Sequence, residues 1–413
     1  MDGEPDAHNG KREPVPNPDP RIDHETRYRP ADEASALSDP EQSDKYGKKA
    51  YDKERRFHAV PVFEQSNPSM KFDLAHALFG DVNRRWLLRG AALSTLVAGS
   101  VAPAALETLP DFGVAETVPL WPRTPPGGKG IALLLRVVER SPEPKKFHLR
   151  ALSGIARPAM CVVRAPSPNG SALLILPGGG YRELTIDAAF DAARRLARAG
   201  VTGFVLLYRL PREGWRDAVN VPLQDALRAM RLLRANAAHF AIDPARIGVL
   251  GFSAGGHLAA TLSLYSKAEP YAAVDFVDRE NARPAFTALL YPVVTMLPPY
   301  AHEASREMLL GDNPTLAQRA AYSCERLVVR DSPPMFLAAA ADDPDVPVEN
   351  SLEMFAALRR AHVPSEMHIF ERGGHGFGVG NPEQPLSAWP ELLLKWTAES
   401  VKLRLQPRNS KSY

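Results

Sequence analysis

A doubly wound α/β fold, a mostly parallel sheet with helices on both faces, is predicted for residues 106–413 of this 413-residue chain. Short apolar, β-rich runs alternate there with longer stretches of helical periodicity. Two of the runs break directly into glycine-rich loops, as buried strands do where a parallel sheet ends. No internal repeat and no low-complexity tract interrupts the alternation, so one domain is expected.

The elements follow in order. Ala172-Leu173-Leu174-Ile175-Leu176 is a continuous apolar run that breaks at Pro177-Gly178-Gly179-Gly180 and reads as a buried strand followed by a loop. Ile186, Phe190, Ala193 and Leu196 then recur at helical spacing until Gly200 stops them. Val201 to Tyr208 predicts the next strand, closed by Pro211. Leu223 to Phe240 predicts one long amphipathic helix, and Arg246 to Phe252 a strand that runs straight into Ser253. Phe286 to Tyr291, Met335 to Ala341 and Glu366 to Phe370 continue the strands.

Composition excludes several classes of function. With 45% hydrophobic and 24% charged residues, neither a wholly disordered chain nor a polytopic membrane protein fits. Lys+Arg 50 against Asp+Glu 48 leaves a formal charge of +2, without the concentrated basic excess that nucleic-acid binding needs. Cys161 and Cys324 offer neither a disulfide framework nor a zinc ligand set and are expected to be free buried thiols. No metal and no cofactor is expected. The 39 prolines imply many short or sharply ended elements.

Residues 1–69 are rich in Pro and charge with few apolar residues, and are expected to be a disordered extension. Residues 70–105 carry the parts of a twin-arginine-type export signal. Arg84-Arg85 precede a mildly apolar stretch from Gly90 to Ala105, which ends in Ala102-Pro103-Ala104. At about fifteen residues that stretch is too short to span a bilayer, so cleavage rather than anchoring is expected. With that signal, translation is expected to start at Met70 and the protein to reach the periplasm or the outside of the cell, with the export machinery as a transient partner; the alternative is a cytoplasmic protein in which the signal is not used.

Chemistry gathers in three places. Gly251-Phe252-Ser253-Ala254-Gly255 has the spacing G-x-S-x-G, lying between a predicted strand and a predicted helix. A sharp turn there would expose the Ser253 hydroxyl near backbone N–H groups at a helix start. A serine is a weak nucleophile without a base. His375 in Gly373-Gly374-His375-Gly376-Phe377-Gly378 is the candidate, carried by glycines past the end of a strand. His257 is expected to pack or hydrogen-bond structurally, His368 to sit inside a strand, and His302 and His362 to be solvated. For the acid that orients the base, Asp342, Asp343 and Asp345 compete in the loop after the strand ending at Ala341. We take Asp343 as the acid, with Asp342 the alternative.

A tetrahedral oxyanion needs preorganised donors. The N–H groups of Gly179 and Gly180, with that of Ala254 beside the nucleophile, are the candidates for an oxyanion hole. A phosphate-cradling loop is disfavoured because no G-K-[ST] follows. Tyr181 is a candidate substrate-binding residue, and Thr295 to Arg326, without clear periodicity, could line or cap a pocket. Asp225 and Arg228, three apart on a predicted helix, are expected to form a structural ion pair.

Together these segments resemble the α/β-hydrolase superfamily, and more closely its branch of bacterial carbohydrate esterases that are acetyl-xylan esterase-like and feruloyl esterase-like. The resemblance runs from about Val118 to Lys395. It is carried by Val118-Pro119-Leu120-Trp121-Pro122, the loop at 177–181, Tyr208-Arg209-Leu210-Pro211 and Gln224-Asp225-Ala226-Leu227-Arg228-Ala229. The serine segment 251–259, Asp342-Asp343-Pro344-Asp345-Val346-Pro347 and Gly374-His375-Gly376-Phe377 complete it. The chain departs from the pattern at Ala339, often a histidine, and at Ala188-Ala189, often Glu-Gly. The resemblance implies the α/β-hydrolase fold as a single catalytic domain, the order Ser253, Asp343, His375 for the reacting groups, and Asp343, three before Val346, as the acid. It also implies a serine esterase, without metal, acting on small acyl (acetyl-type) esters of a small-molecule or oligosaccharide substrate. The alternatives are a peptidase or an esterase of non-sugar substrates, and a ligand-binding protein that keeps the fold without catalysis.

Overall fold

The computed structural model describes residues 112–114 and 116–405. The extension predicted at 1–69 and the export signal predicted at 70–105 lie outside the described residues.

The strands are β1 (Glu116–Pro119), β2 (Arg136–Glu139), β3 (Arg150–Ser153), β4 (Ala159–Val163), β5 (Ala172–Leu176), β6 (Leu184–Thr185), β7 (Thr202–Leu207), β8 (Ile247–Phe252), β9 (Thr287–Leu290), β10 (Met335–Ala340) and β11 (Ser365–Phe370). Eight of them make one sheet in the order β1-β4-β7-β5-β8-β9-β10-β11, and β2-β3-β6 make a small second one that the sequence did not announce. β1 and β4 pair antiparallel, as do β4 and β7, and the rest of the large sheet is parallel. β5 lies between β7 and β8 with all five residues buried, which is why its sequence is continuously apolar rather than alternating. Each such Leu or Ile contributes about 1.5–3 kcal/mol of burial free energy.

The helices are α1 (Asp187–Ala197), α2 (Val221–Ala235), α3 (Ala237–Phe240), α4 (Ala254–Leu264), α5 (Glu303–Leu310), α6 (Leu316–Ala321) and α7 (Glu349–Arg360), which lie between parallel strands, and α8 (Trp389–Leu405), which follows the last strand. From β5 the chain crosses through α1 to β7 on one side, then back through α2 to β8 on the other. Parallel crossovers share a right-handed sense, so reversing direction puts α1 and α2 on opposite faces. α4 and α7 continue in the direction of α2, whereas α8 packs against α1. The predicted doubly wound arrangement is the one observed.

The segment Leu223 to Phe240 corrects its prediction. It is two helices, α2 and α3, parted at Asn236, whose Nδ2 donates to the Leu232 carbonyl. α2 is also not amphipathic in the solvated sense, because every residue from Val221 to Leu233 is buried, Gln224, Asp225, Arg228 and Arg231 included. Its charges are neutralised inside the protein. Asp225 and Arg228 do not pair with each other, contrary to expectation. Asp225 takes the guanidinium of Arg209 at 2.8–3.1 Å and accepts from Trp121 Nε1 at 2.8 Å, while Arg228 pairs with Asp275 at 2.6 Å and Asp278 at 3.0 Å. Arg209 Nη1 also donates to the Pro126 carbonyl, and Arg228 Nε to that of Leu120. The segment from Trp121 to Pro126, far from Arg209 and Asp225 in the chain, thus meets them at one buried ionic knot.

Cys161 and Cys324 are free and buried, as expected. Burial pushes the Cys161 thiol up to about 11 and that of Cys324 up to about 12, which makes both poor nucleophiles.

Candidate active site

β8 ends at Phe252, and Ser253 turns the chain into α4 with φ 52° and ψ −119°, a backbone state costly for any residue with a Cβ. The turn is over-determined by its surroundings. Ser253 N–H donates to the Leu290 carbonyl, and its own carbonyl accepts from the N–H groups of Gly256, His257 and Val293. Glycine at 255 is required by space. A Cβ there would stand 2.3 Å from the carbonyl oxygens of both Leu176 and Pro177, so α4 begins in direct contact with the loop after β5.

The loops after β8, β10 and β11 leave the same edge of the sheet, which brings Ser253, Asp343 and His375 together. Ser253 Oγ is 2.8 Å from His375 Nε2, and His375 Nδ1 is 2.8 Å from Asp343 Oδ2. A carboxylate only accepts, so Nδ1 carries the proton and Nε2 is left to accept from the serine hydroxyl. The Asp343 side chain is 2% exposed and that of His375 11%. The other oxygen of Asp343 accepts from the N–H groups of Asp345 and Val346 at 2.9 Å, which fixes the carboxylate. Asp342 turns away and accepts from Gly374 N–H at 2.8 Å.

The histidine loop is held by residues that sequence reasoning missed. Trp389 Nε1 donates to the Gly378 carbonyl at 2.8 Å, and Gly378 N–H donates to Tyr291 Oη at 3.3 Å. The Tyr291 ring stands edge-on to His375 at 5.1 Å and to Phe377 at 4.5 Å. The position of Tyr291 as the last residue of the predicted strand Phe286 to Tyr291 is the available signal. Burial, with Asp343 nearby, raises the Tyr291 phenol well above its ordinary range, so it stays a neutral neighbour of the imidazole.

The loop after β5 lies alongside. A Cβ on Gly178 would be 3.1 Å from Ser253 Cβ. Gly179, Gly180 and Tyr181 all take positive φ, at 117°, 64° and 60°, and Tyr208 Oη anchors the loop by donating to the Pro177 carbonyl at 2.8 Å. Among the described residues no acceptor takes the N–H of Gly179 or Gly180. The N–H of Ala254 belongs to the first turn of α4, where a helix leaves its donors unsatisfied.

Two expectations are corrected. Tyr181 does not present its side chain to a pocket. It is 1% exposed, and its hydroxyl lies 2.8 Å from His257 Nδ1. His257 Nε2 in turn donates to the Tyr322 carbonyl at 2.7 Å, so Nδ1 accepts from the tyrosine, and burial lowers the imidazole to about 4. His302 is not solvated. It is half-buried at the start of α5, with Nδ1 2.7 Å from Ser305 Oγ. His362 is exposed, and His368 lies in β11, as expected. The segment from Thr295 to Arg326 holds α5 and α6, and its Thr295, Tyr300 and Arg326 line a cleft of about 770 Å³ together with Glu353 and Arg360. Ser253, Asp343 and His375 are not part of that cleft's lining.

The chain belongs to the α/β-hydrolase superfamily, whose fold the sheet order and the strand–serine–helix turn define. Within it, residues 209–404 match the model of the Prolyl oligopeptidase family. The chain is similar to the acetyl ester-xyloside bifunctional hydrolase of Caldicellulosiruptor lactoaceticus, at 33% identity and a TM-score of 0.57 over 70% of this chain and 96% of that one. It is 33% identical to the acetylxylan esterase of Xylanibacter ruminicola over 60% of this chain and 49% of the relative. To endo-1,4-beta-xylanase B of Butyrivibrio fibrisolvens it is 35% identical over 51% of this chain and 33% of the relative. The match thus spans half or less of these two curated relatives.

Proposed function

We propose that the chain is a serine esterase that removes small acyl groups, such as acetate, from carbohydrate. The observation that carries this reading is the unbroken path Ser253 Oγ, His375 Nε2, His375 Nδ1, Asp343 Oδ2, with 2.8 Å at each hydrogen bond. Ser253 Oγ attacks the ester carbonyl carbon as its proton passes to His375 Nε2, and the carbonyl π pair moves onto oxygen. The N–H groups of Gly179, Gly180 and Ala254 hold that oxyanion, where losing one donor typically costs about 10²–10³ in rate. Asp343 keeps the imidazole in its reactive tautomer and stabilises the imidazolium. The oxyanion then collapses, the C–O bond to the alcohol breaks, and His375 protonates the departing oxygen. Water, deprotonated by the same imidazole, attacks the acyl carbon, the bond to Ser253 Oγ breaks as His375 returns the proton to that oxygen, and the acid leaves.

The carbohydrate part of the reading is supported by relatives named as acetylxylan esterase and acetyl ester-xyloside hydrolase. The match to the Prolyl oligopeptidase family favours a second reading, a peptidase. Turnover of acetylated xylo-oligosaccharides, feruloyl sugars and aminoacyl anilides separates the two. Release of acetate from the oligosaccharide is expected, and cleavage of the anilides alone overturns the esterase. We further propose export to the periplasm or beyond, on the strength of residues 70–105, which lie outside the described residues. A protein purified from its native host with an N-terminus ahead of Met70 and intact through Ala105 overturns that part.

A further inference from the structure

The mechanism above leaves one imidazole beside the site without a role. His302 precedes α5, with Nδ1 2.7 Å from Ser305 Oγ. Ser305 is fully buried, and among the described residues His302 is the sole hydrogen-bond partner of its hydroxyl. That hydroxyl oxygen stands 3.8 Å from the place a Cβ on Gly180 would occupy, while Gly178, in the same loop, abuts Ser253. The pair therefore borders the loop assigned to the oxyanion. Burial first, and then the neighbouring His375, lower the His302 imidazole to about 4, with Asp343 acting in the opposite sense and Arg182 in the same sense as His375. The ring is neutral at pH 7.

A neutral imidazole has one N–H, and Ser305 decides which nitrogen carries it. With the proton on Nδ1, the buried serine hydroxyl hydrogen would have no acceptor. Donating it to Nδ1 satisfies both groups. The proton then sits on Nε2, which has no acceptor among the described residues and is not one of the enclosed polar atoms. His302 is near enough to His375, the group that hands a proton to the departing alcohol, for the two rings to interact electrostatically, and its partner Ser305 borders the loop after β5, so the open donor belongs to the surroundings of the reacting ester.

We propose that His302, its tautomer set by Ser305, is a specificity-determining residue that donates from Nε2 to a hydroxyl oxygen on the alcohol half of the ester. It selects esters of polyols and sugars over esters of simple alkanols. The inference rests on the esterase reading of Ser253 and adds the alcohol preference.

The test compares glyceryl monoacetate with propyl acetate, matched esters whose alcohols differ in their hydroxyl groups. His302→Ala lowers the ratio of the two kcat/KM values about three- to tenfold, the worth of one hydrogen bond, with most of the change in KM. His302→Gln, which keeps a donor, recovers part of the ratio. Ser305→Ala nearly preserves shape but frees the tautomer, so it lowers the same ratio by less and still reports if His302→Ala folds poorly. An unchanged ratio in both alanine variants overturns the proposal and leaves the esterase reading standing. Retained turnover of both esters by Ser253→Ala overturns the esterase reading itself.

Discussion

Asp343 and Asp342 are neighbours in the chain with opposite duties. Asp343 Oδ2 lies 2.8 Å from His375 Nδ1, whereas Asp342 Oδ1 accepts the backbone N–H of Gly374 at the same distance. One orients the imidazole and the other secures the loop that carries it. The N–H groups of Asp345 and Val346 enforce the division, because they hold the Asp343 carboxyl in the turn.

Asp343→Asn replaces an acceptor with a group that can donate to Nδ1, which favours the wrong tautomer. Its kcat on p-nitrophenyl acetate is expected to fall by about 10³–10⁴. Asp342→Asn keeps an oxygen for Gly374 and is expected to stay within about threefold of wild type. Steady-state kinetics of the two variants decide, and a larger loss in Asp342→Asn would reverse the assignment.

The ionic knot of Arg209 and Asp225 has both side chains wholly buried. Removing one partner strands the other charge, so Arg209→Met and Asp225→Leu are each expected to destabilise by about 3–5 kcal/mol. The double variant strands neither and recovers much of that loss. Urea unfolding of the two singles and the double measures the coupling, and strictly additive effects would contradict it.

Acid sensitivity follows from His257. Its folded pKa is lowered to about 4, against about 6.5 for an unperturbed histidine. Between these values the unfolded chain binds a proton that the folded chain does not, so stability rises with pH through this window and is lost as pH falls from 6.5 towards 4. The slope is at most about 1.4 kcal/mol per pH unit for this group, and His302 acts with the same sign. His257→Gln is expected to flatten the dependence of the urea midpoint between pH 5 and pH 7. A wild-type midpoint higher at pH 5 than at pH 7 would contradict the account.

What could be read from the chain beforehand depended on how local each signal was. Strands such as Ala172–Leu176 and the serine turn were legible because a buried run broken by glycines is a local pattern with few physical solutions. His375 and Asp343 could be nominated because each sits in a loop just past a strand. Several misreadings concern polar groups whose packing or partners come from distant segments. Arg228 looked paired with Asp225 because helical spacing was visible and Asp275 was not a neighbour. α2 reads as amphipathic because its sequence mixes charged and apolar residues, whereas the fold encloses the charges. His302 looked exposed because the burial that surrounds it comes from the packing of other segments, and Tyr181 looked available because nothing near it in sequence announces His257.

The proposed esterase chemistry requires Ser253 as the nucleophile, activated through His375. Incubation with diethyl p-nitrophenyl phosphate, followed by intact-mass measurement and peptide mapping, tests it most directly. A single diethylphosphoryl group is expected on the peptide containing Ser253, with labelling much slower in His375→Ala and absent in Ser253→Ala. Stoichiometric labelling of Ser253→Ala, or a label mapped to another residue of the wild type, would contradict it.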